Sequence, residues 1–125
     1  LKRIIEWNED GYPTKSSLEC LRKEVKSKNY KRAIEAFYAA LRENYYHPDY
    51  CGHERVEVRG EVVDVWAYHT GGWSGNEDII AVLQESWLFD WLLERYDWGG
   101  HYYFRPIEQV LTLNQDTYSK ENMEG

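Results

Sequence analysis

Val62-Val63-Asp64-Val65-Trp66-Ala67-Tyr68-His69-Thr70-Gly71-Gly72-Trp73-Ser74-Gly75-Asn76-Glu77 is the stretch whose reading decides the fold. Its first half alternates. Val63, Val65 and Ala67 fall on one side and Val62, Asp64, Trp66 and Tyr68 on the other, the period of a strand. Three glycines in five residues then make a loop, and Ser74 and Glu77 stand in capping-box register at the start of a helix. Strand, glycine loop and helix in that order predict a small α+β domain.

Upstream, Val56 and Val58 continue the strand period, and Gly60 divides the two runs into a β-hairpin turning at Arg59-Gly60. Downstream, Ile79, Ile80, Leu83, Trp87 and Trp91 form one helical row, with Val82, Phe89, Leu92 and Leu93 beside it. The pattern predicts a long central helix from Gly75 to about Tyr96, ended by Gly99-Gly100, then a short strand at His101-Tyr102-Tyr103-Phe104. A continuous helix of about 20 residues would span about 30 Å and make the strands on either side parallel, leaving His69 and His101 at opposite ends.

The N-terminal part reads as helical. Leu1 to Tyr12 is a short strand or apolar arm carrying Ile4, Ile5 and Trp7. Thr14 or Ser16 caps the first helix, Ser16 with Glu19 as a capping box, and Leu18, Leu21 and Val25 share one face. Asn29 marks the break to a second helix over about 30–44, with Ile34, Phe37, Tyr38, Leu41 and Tyr45 as its apolar stripe and Pro48 closing it. Two helices so joined pack as a hairpin over a small sheet.

A chain of 125 residues suits one domain, expected over 1–113 with a polar C-terminal tail over 114–125. Charge is uneven: residues 1–45 carry +3 and residues 46–125 carry −10. The acidic part argues against direct nucleic-acid binding, which needs clustered cations. Arg22, Lys23, Lys26, Lys28, Lys31 and Arg32 form one basic cluster, most simply a solvated helix face. Sixteen of the twenty aromatic residues lie between Phe37 and Phe104, so rings are expected to build the core and also to supply contact surface. Cys20 and Cys51 make no disulfide framework, and Cys20 is expected to be a buried or half-buried thiol. No apolar run approaches the roughly 18 residues of a membrane span, and no secretory leader is read, so the expected location is cytoplasmic, with no membrane partner.

Chemistry is sparsely written. The glycine loop before a helix is an arrangement that can cradle a phosphate, yet it lacks the P-loop and dinucleotide signatures, and no Lys or Arg stands between Gly60 and Glu94. His47, Asp49, Cys51 and His53 are the densest potential metal ligands, but they lack zinc-knuckle spacing and no metal is expected. Ser74 with His69 or His101 lacks the Gly-x-Ser-x-Gly elbow of a nucleophile. No catalytic residue and no cofactor are therefore assigned.

Thr70-Gly71-Gly72-Trp73-Ser74-Gly75-Asn76-Glu77, the Trp-rich segment after it, Gly99-Gly100-His101-Tyr102 and the Gly11-Tyr12-Pro13-Thr14 helix start together resemble a set of small uncharacterised proteins from phages, prophages and bacterial genomes. The resemblance spans about Gly11 to Phe104 and implies no established activity. Related sequences hold several arginines before the second glycine pair, where this chain has Arg95 alone in Arg95-Tyr96-Asp97-Trp98. The leading expectation is a non-enzymatic interaction protein of phage or mobile-element type, binding a host or phage protein and inhibiting a defence or DNA-handling factor. The alternative is a binder of a nucleotide or other small phosphorylated ligand, using His69, Thr70, Gly71, Gly72, Trp73, Ser74, Asn76, Glu77 and His101. A third reading is a hydrolase built on His69, His101 and Glu77.

Overall fold

The computed structural model describes residues 3–46 and 48–112. The first helix, α1 (Lys15–Val25), starts where Pro13 and Thr14 predict: Thr14 Oγ1 accepts from Ser17 N at 3.2 Å. Ser16 is exposed and lies two residues past the cap position, so the Ser16–Glu19 box is not the device used. Leu21 and Val25 are fully buried on the inner face. Cys20, on the outer face, is exposed, against the expectation of a buried thiol, because the apolar stripe runs through Leu21 and not its neighbour.

Asn29 then caps α2 (Tyr30–Leu41), its side chain accepting from Arg32 N at 3.2 Å. The helix stops three residues short of Asn44, because Asn44 is buried in a different task described below. Ile34, Phe37, Tyr38 and Leu41 fill the core, and α1 packs on both α2 and the third helix. The N-terminal arm lies beside them: Ile5 is buried, Trp7 makes an isolated bridge with Pro13, and Asn8 Oδ1 closes the polar turn by accepting from Asp10 N and Tyr12 N.

Strands β1 (Gly52–Val58) and β2 (Glu61–His69) pair antiparallel with Val58 opposite Glu61. Their turn has positive φ at both Arg59 (52°) and Gly60 (86°), the twist-matched two-residue form. After the glycine loop come α3 (Ser74–Gln84), α4 (Trp87–Leu92), β3 (Leu93–Asp97) and β4 (His101–Phe104), with residues 107–112 helical beyond them. The sheet order is β1-β2-β4-β3, antiparallel throughout. This is the predicted α+β class with its helical pair and β-hairpin.

The long central helix is the part that differs. Ser86 interrupts it: the hydroxyl accepts from Leu88 N at 3.1 Å, capping α4, and donates to Val25 O at 3.3 Å, tying the break to α1. The second piece ends at Leu92, whose carbonyl accepts from Arg105 N at 2.9 Å, and Leu93 turns extended (φ −71°, ψ 122°) into β3. Residues 93–97 thus exchange helical bonds for a ladder with β4. The chain reverses once more than a single helix would allow, and β4 returns antiparallel to β2.

The sheet's two faces have different jobs. Tyr68, Phe104 and the half-buried Trp66 and Tyr102 face the helices, joining the main core with Phe37, Ile79, Leu83, Leu88 and Leu92. Removing a side chain of this size from water stabilises the fold by about 1.5–3 kcal/mol. Two phenols in this layer are tied to the backbone: Tyr68 donates to Glu43 O at 2.9 Å, and Tyr38 donates to Arg105 O. The opposite face carries a small second cluster of Val65, Ala67 and Tyr103, flanked by Val56 and Val63. Arg95 in β3 donates to Glu57 O in β1 at 2.9 Å, although these strands are the two edges of the sheet. That bond requires the sheet to curl, making this second face concave.

Candidate functional site

The glycine motif is spent on packing. Gly71 and Gly72 take positive φ (65° and 74°), which turns the chain sharply after β2. Thr70 is fully buried; its N–H donates to Gly100 O at 2.9 Å, and its carbonyl accepts from Trp73 N at 3.2 Å. The amides of Asn76 and Glu77 both go to Trp73 O at 3.1 Å, and Gly72 N reaches Thr70 Oγ1 at 3.4 Å. Four amides of this segment, those of Gly72, Trp73, Asn76 and Glu77, are thereby occupied from within.

Asn76 locks this unit together. Its side chain is fully buried, accepting from Tyr45 N at 2.9 Å and donating to Thr70 O at 3.1 Å and Asn44 Oδ1 at 3.3 Å, while Asn44 Nδ2 donates to His69 O at 2.8 Å. Trp73 Nε1 donates to Gly11 O at 2.6 Å, and the Ser74 hydroxyl lies 2.8 Å from that of Tyr12. Ser74 is therefore not the helix cap: Trp73 holds that position with no side-chain bond, and the predicted Ser74–Glu77 box does not form. A Cβ on Gly75 would stand 2.5 Å from Gly11 O, and one on Gly100 would stand 2.1 Å from Thr70 Oγ1. The segments around Gly11, Thr70 and Gly100 meet in one knot.

Beside that knot, the antiparallel register sets His69 directly opposite His101, contrary to the parallel arrangement that would separate them. Their Nδ1 atoms are 2.8 Å apart. The other nitrogen of His69, Nε2, lies 2.5 Å from Glu54 Oε2. Gly52 and Ala67, the small cross-strand pair between them, leave room for the Glu54 and His69 side chains to converge over the sheet. The His69 side chain is 17% exposed and that of Glu54 38%, so the contact is partly shielded from water.

Hydrogen-bond logic then fixes the protons. A carboxylate only accepts, so neutral His69 donates from Nε2 and keeps a lone pair on Nδ1. His101 must donate from Nδ1, which leaves His101 Nε2 as the bare nitrogen. It faces the β3–β4 turn: a Cβ placed on Gly99 would lie 3.6 Å from it. Trp98, in that same turn, is 92% exposed.

The neighbouring charges are committed to each other. Arg95 grips Asp97 through Nε (2.8 Å) and Nη2 (3.1 Å) and lies over the Tyr103 ring, which also touches the His69 ring. The Arg95 guanidinium holds the Asp97 carboxyl below its ordinary value, and burial, with help from Asp97 and Glu54, pushes the Tyr103 phenol up. Glu54 and Asp97 against Arg95 leave this concave face net negative.

Of the predicted residues, then, His69 and His101 come together, while Thr70, Gly71, Gly72, Trp73, Ser74 and Asn76 build the knot that holds them. Glu77 is not their carboxylate. It is exposed on α3 and acts on Tyr102, which lies on the helix-facing side of the sheet. Glu54 takes the place proposed for it, and parity could have found Glu54: it shares the period of Val56 and Val58, as His69 shares that of Val65 and Ala67.

Elsewhere, four of the six basic-cluster residues are ion-paired, with Arg22 on Glu19 and Glu85, Lys26 on Glu85, Lys31 on Glu35 and Arg32 on Glu24. His47 lies outside the described residues, and among the described residues no group of three or more His, Cys, Asp or Glu is placed to hold a metal ion. Also among these residues, no helix is long and apolar enough to cross a membrane. Grooves of about 530 and 440 Å³ run along Arg3, Ile4 and Cys20. Neither includes a residue of the histidine site. No family model, curated protein or solved structure matches the chain.

Proposed function

We propose that the chain is a binding protein that docks a partner protein through the β3–β4 turn. The observation that carries this reading is Trp98: at 92% exposure it is the most exposed large hydrophobic side chain among the described residues, held at the tip of a tight turn between Asp97 and Gly99-Gly100. Tryptophan is enriched among residues that dominate interface energies. Tyr96 on β3, 47% exposed, continues the apolar surface inward, and its ring packs on Tyr102 with centroids 4.8 Å apart.

The surrounding acidic charge favours a partner with a basic rim. The resemblance to phage and bacterial proteins suggests that this partner is a host or phage protein, such as a defence or DNA-handling factor whose nucleic-acid surface is basic. The test is to immobilise the wild type, Trp98→Ala and Trp87→Ala and expose each to lysate of a phage-infected bacterial host. A central tryptophan is worth 2 kcal/mol or more, about 30-fold in affinity. The reading expects a protein retained by the wild type and Trp87→Ala but lost from Trp98→Ala. An identical retained set for all three would remove the turn as the docking site.

A further inference from the structure

The face beneath Trp98 holds a second feature that docking does not need: three polar side chains in series with a bare nitrogen at the outer end. We propose that His101 is a general base for hydrolysis of neutral carbonyl esters, with His69 and Glu54 as positioning residues that hold its tautomer.

Glu54, His69 and His101 stand in that order across the sheet. Glu54 Oε2 lies 2.5 Å from His69 Nε2, and His69 Nδ1 lies 2.8 Å from His101 Nδ1. Each link passes its preference outward. Because Glu54 accepts from His69, His69 must accept from His101, and only then does His101 present Nε2 without a proton. A proton taken up at His101 Nε2 is balanced through the same series by the carboxylate at its inner end. This is the logic by which a buried carboxylate orients a catalytic imidazole, extended by one ring.

The backbone reinforces it. His69 and His101 are direct cross-strand partners, so their separation is set by the sheet and not by loop conformation. The strand ends are pinned beyond them by Thr70 N donating to Gly100 O at 2.9 Å, and the His69 carbonyl accepts from Asn44. The knot formed by the glycine motif is what keeps two imidazoles in register.

Substrate class follows from charge and shape. Glu54 and Asp97 outnumber Arg95, and Arg95 is fully engaged by Asp97 and Glu57 O, so among the described residues no cation is free on this face to meet a phosphate or carboxylate. A neutral ester suits it. Trp98 adjoins Gly99, where an added Cβ would lie 3.6 Å from His101 Nε2, so the turn that this nitrogen faces also carries an exposed apolar ring.

The step balances with water as co-reactant. As the water oxygen bonds to the ester carbonyl carbon, one of its protons moves to His101 Nε2 and the carbonyl π pair moves to oxygen. When the tetrahedral adduct collapses, the bond from carbon to the leaving oxygen breaks, and the proton on Nε2 passes to that oxygen. The products are one acid and one alcohol, with His101 returned to its starting tautomer.

The test uses the full chain and p-nitrophenyl acetate as the neutral probe, with equimolar free imidazole as reference. It needs no partner protein, so its failure is distinguishable from failure of the docking reading. A positioned general base contributes about 10²-fold or more, so wild type should exceed imidazole by at least about tenfold and His101→Ala should lose that excess. Glu54→Gln, at a residue exposed enough to tolerate the change, should lower kcat about tenfold while leaving KM unchanged, since Glu54 acts through His69 and does not touch substrate. p-Nitrophenyl phosphate should be turned over no faster than by imidazole. A wild-type rate equal to imidazole overturns the proposal, as does a Glu54→Gln variant with unaltered kcat. Turnover of the phosphate in preference to the acetate overturns the substrate class.

Discussion

Asn76→Ala tests whether the glycine motif serves the fold or a ligand. The native side chain is fully buried and makes three hydrogen bonds, to Tyr45 N, Thr70 O and Asn44 Oδ1. Alanine removes all three and leaves those partners without the bonds that Asn76 supplied. At about 1 kcal/mol for each bond, with further loss for each group left dry, the penalty is about 3–5 kcal/mol. For a domain of this size 1 kcal/mol moves Tm by about 4 °C, so the lower figure alone lowers it by about 12 °C. Thermal unfolding followed by circular dichroism reads this directly. A second variant sharpens it. Asn76→Asp keeps the acceptor for Tyr45 N but turns a carboxylate toward two carbonyl oxygens, which raises its folded pKa above the ordinary value of about 3.9. The folded state then binds more protons than the unfolded one, so this variant's stability falls as pH rises through that ordinary value and recovers toward acid. A Tm drop of less than about 4 °C for Asn76→Ala would refute the claim that Asn76 holds the knot together.

Other consequences follow from single contacts. Thr14→Ala removes the cap of α1 and should cost about 1 kcal/mol in urea unfolding, while Ser74→Ala, which removes no cap, should cost clearly less. Cys20 is exposed, whereas burial pushes the Cys51 thiol up despite bonds from Asn44 and to His69 O; a thiol reagent should modify one equivalent rapidly and the second only on unfolding. The Asp97 carboxyl, held down by Arg95, should titrate below an ordinary aspartate by NMR and return upward in Arg95→Ala; an unchanged midpoint would mean that the pair is not formed in solution.

The parts of the fold written in local pattern were legible, and those set by long-range pairing were not. Thr14, Asn29 and Arg59-Gly60 each mark a boundary by their own chemistry, so both N-terminal helices and the hairpin could be placed. The segment 85–97 could not. Its Trp, Phe and Leu spacing satisfies a helix over its whole length, and the break depends on Ser86 reaching Val25 O, a bond 61 residues away in sequence. Leu93 to Asp97 becomes a strand only because β4 is there to pair with it. That one misread element reversed the direction of β4 and separated two histidines that in fact touch.

The same asymmetry governs the site. Gly71-Gly72 and Gly99-Gly100 stand out in the sequence, yet their conspicuousness reflects positive φ at all four and, at Gly100, close packing against Thr70. Glu54 is inconspicuous among Glu57, Glu61 and Asp64, and only its place in the strand period puts it on the face of His69. The basic cluster, read as a solvated helix face, is in addition ion-paired: Arg22–Glu19 and Lys31–Glu35 are local, whereas the pairs of Arg22 and Lys26 with Glu85 are long-range and carry no local signal.

Glu54, His69 and His101 form a single series of hydrogen bonds across the sheet. Long-range ¹H–¹⁵N NMR of the two imidazoles, at a pH where both are neutral, measures it directly. The predicted result is His69 protonated on Nε2 and His101 protonated on Nδ1, with the His101 assignment lost in Glu54→Ala, which leaves His69 Nε2 no acceptor. His101 protonated on Nε2 in the wild type, or a tautomer indifferent to Glu54, would contradict it.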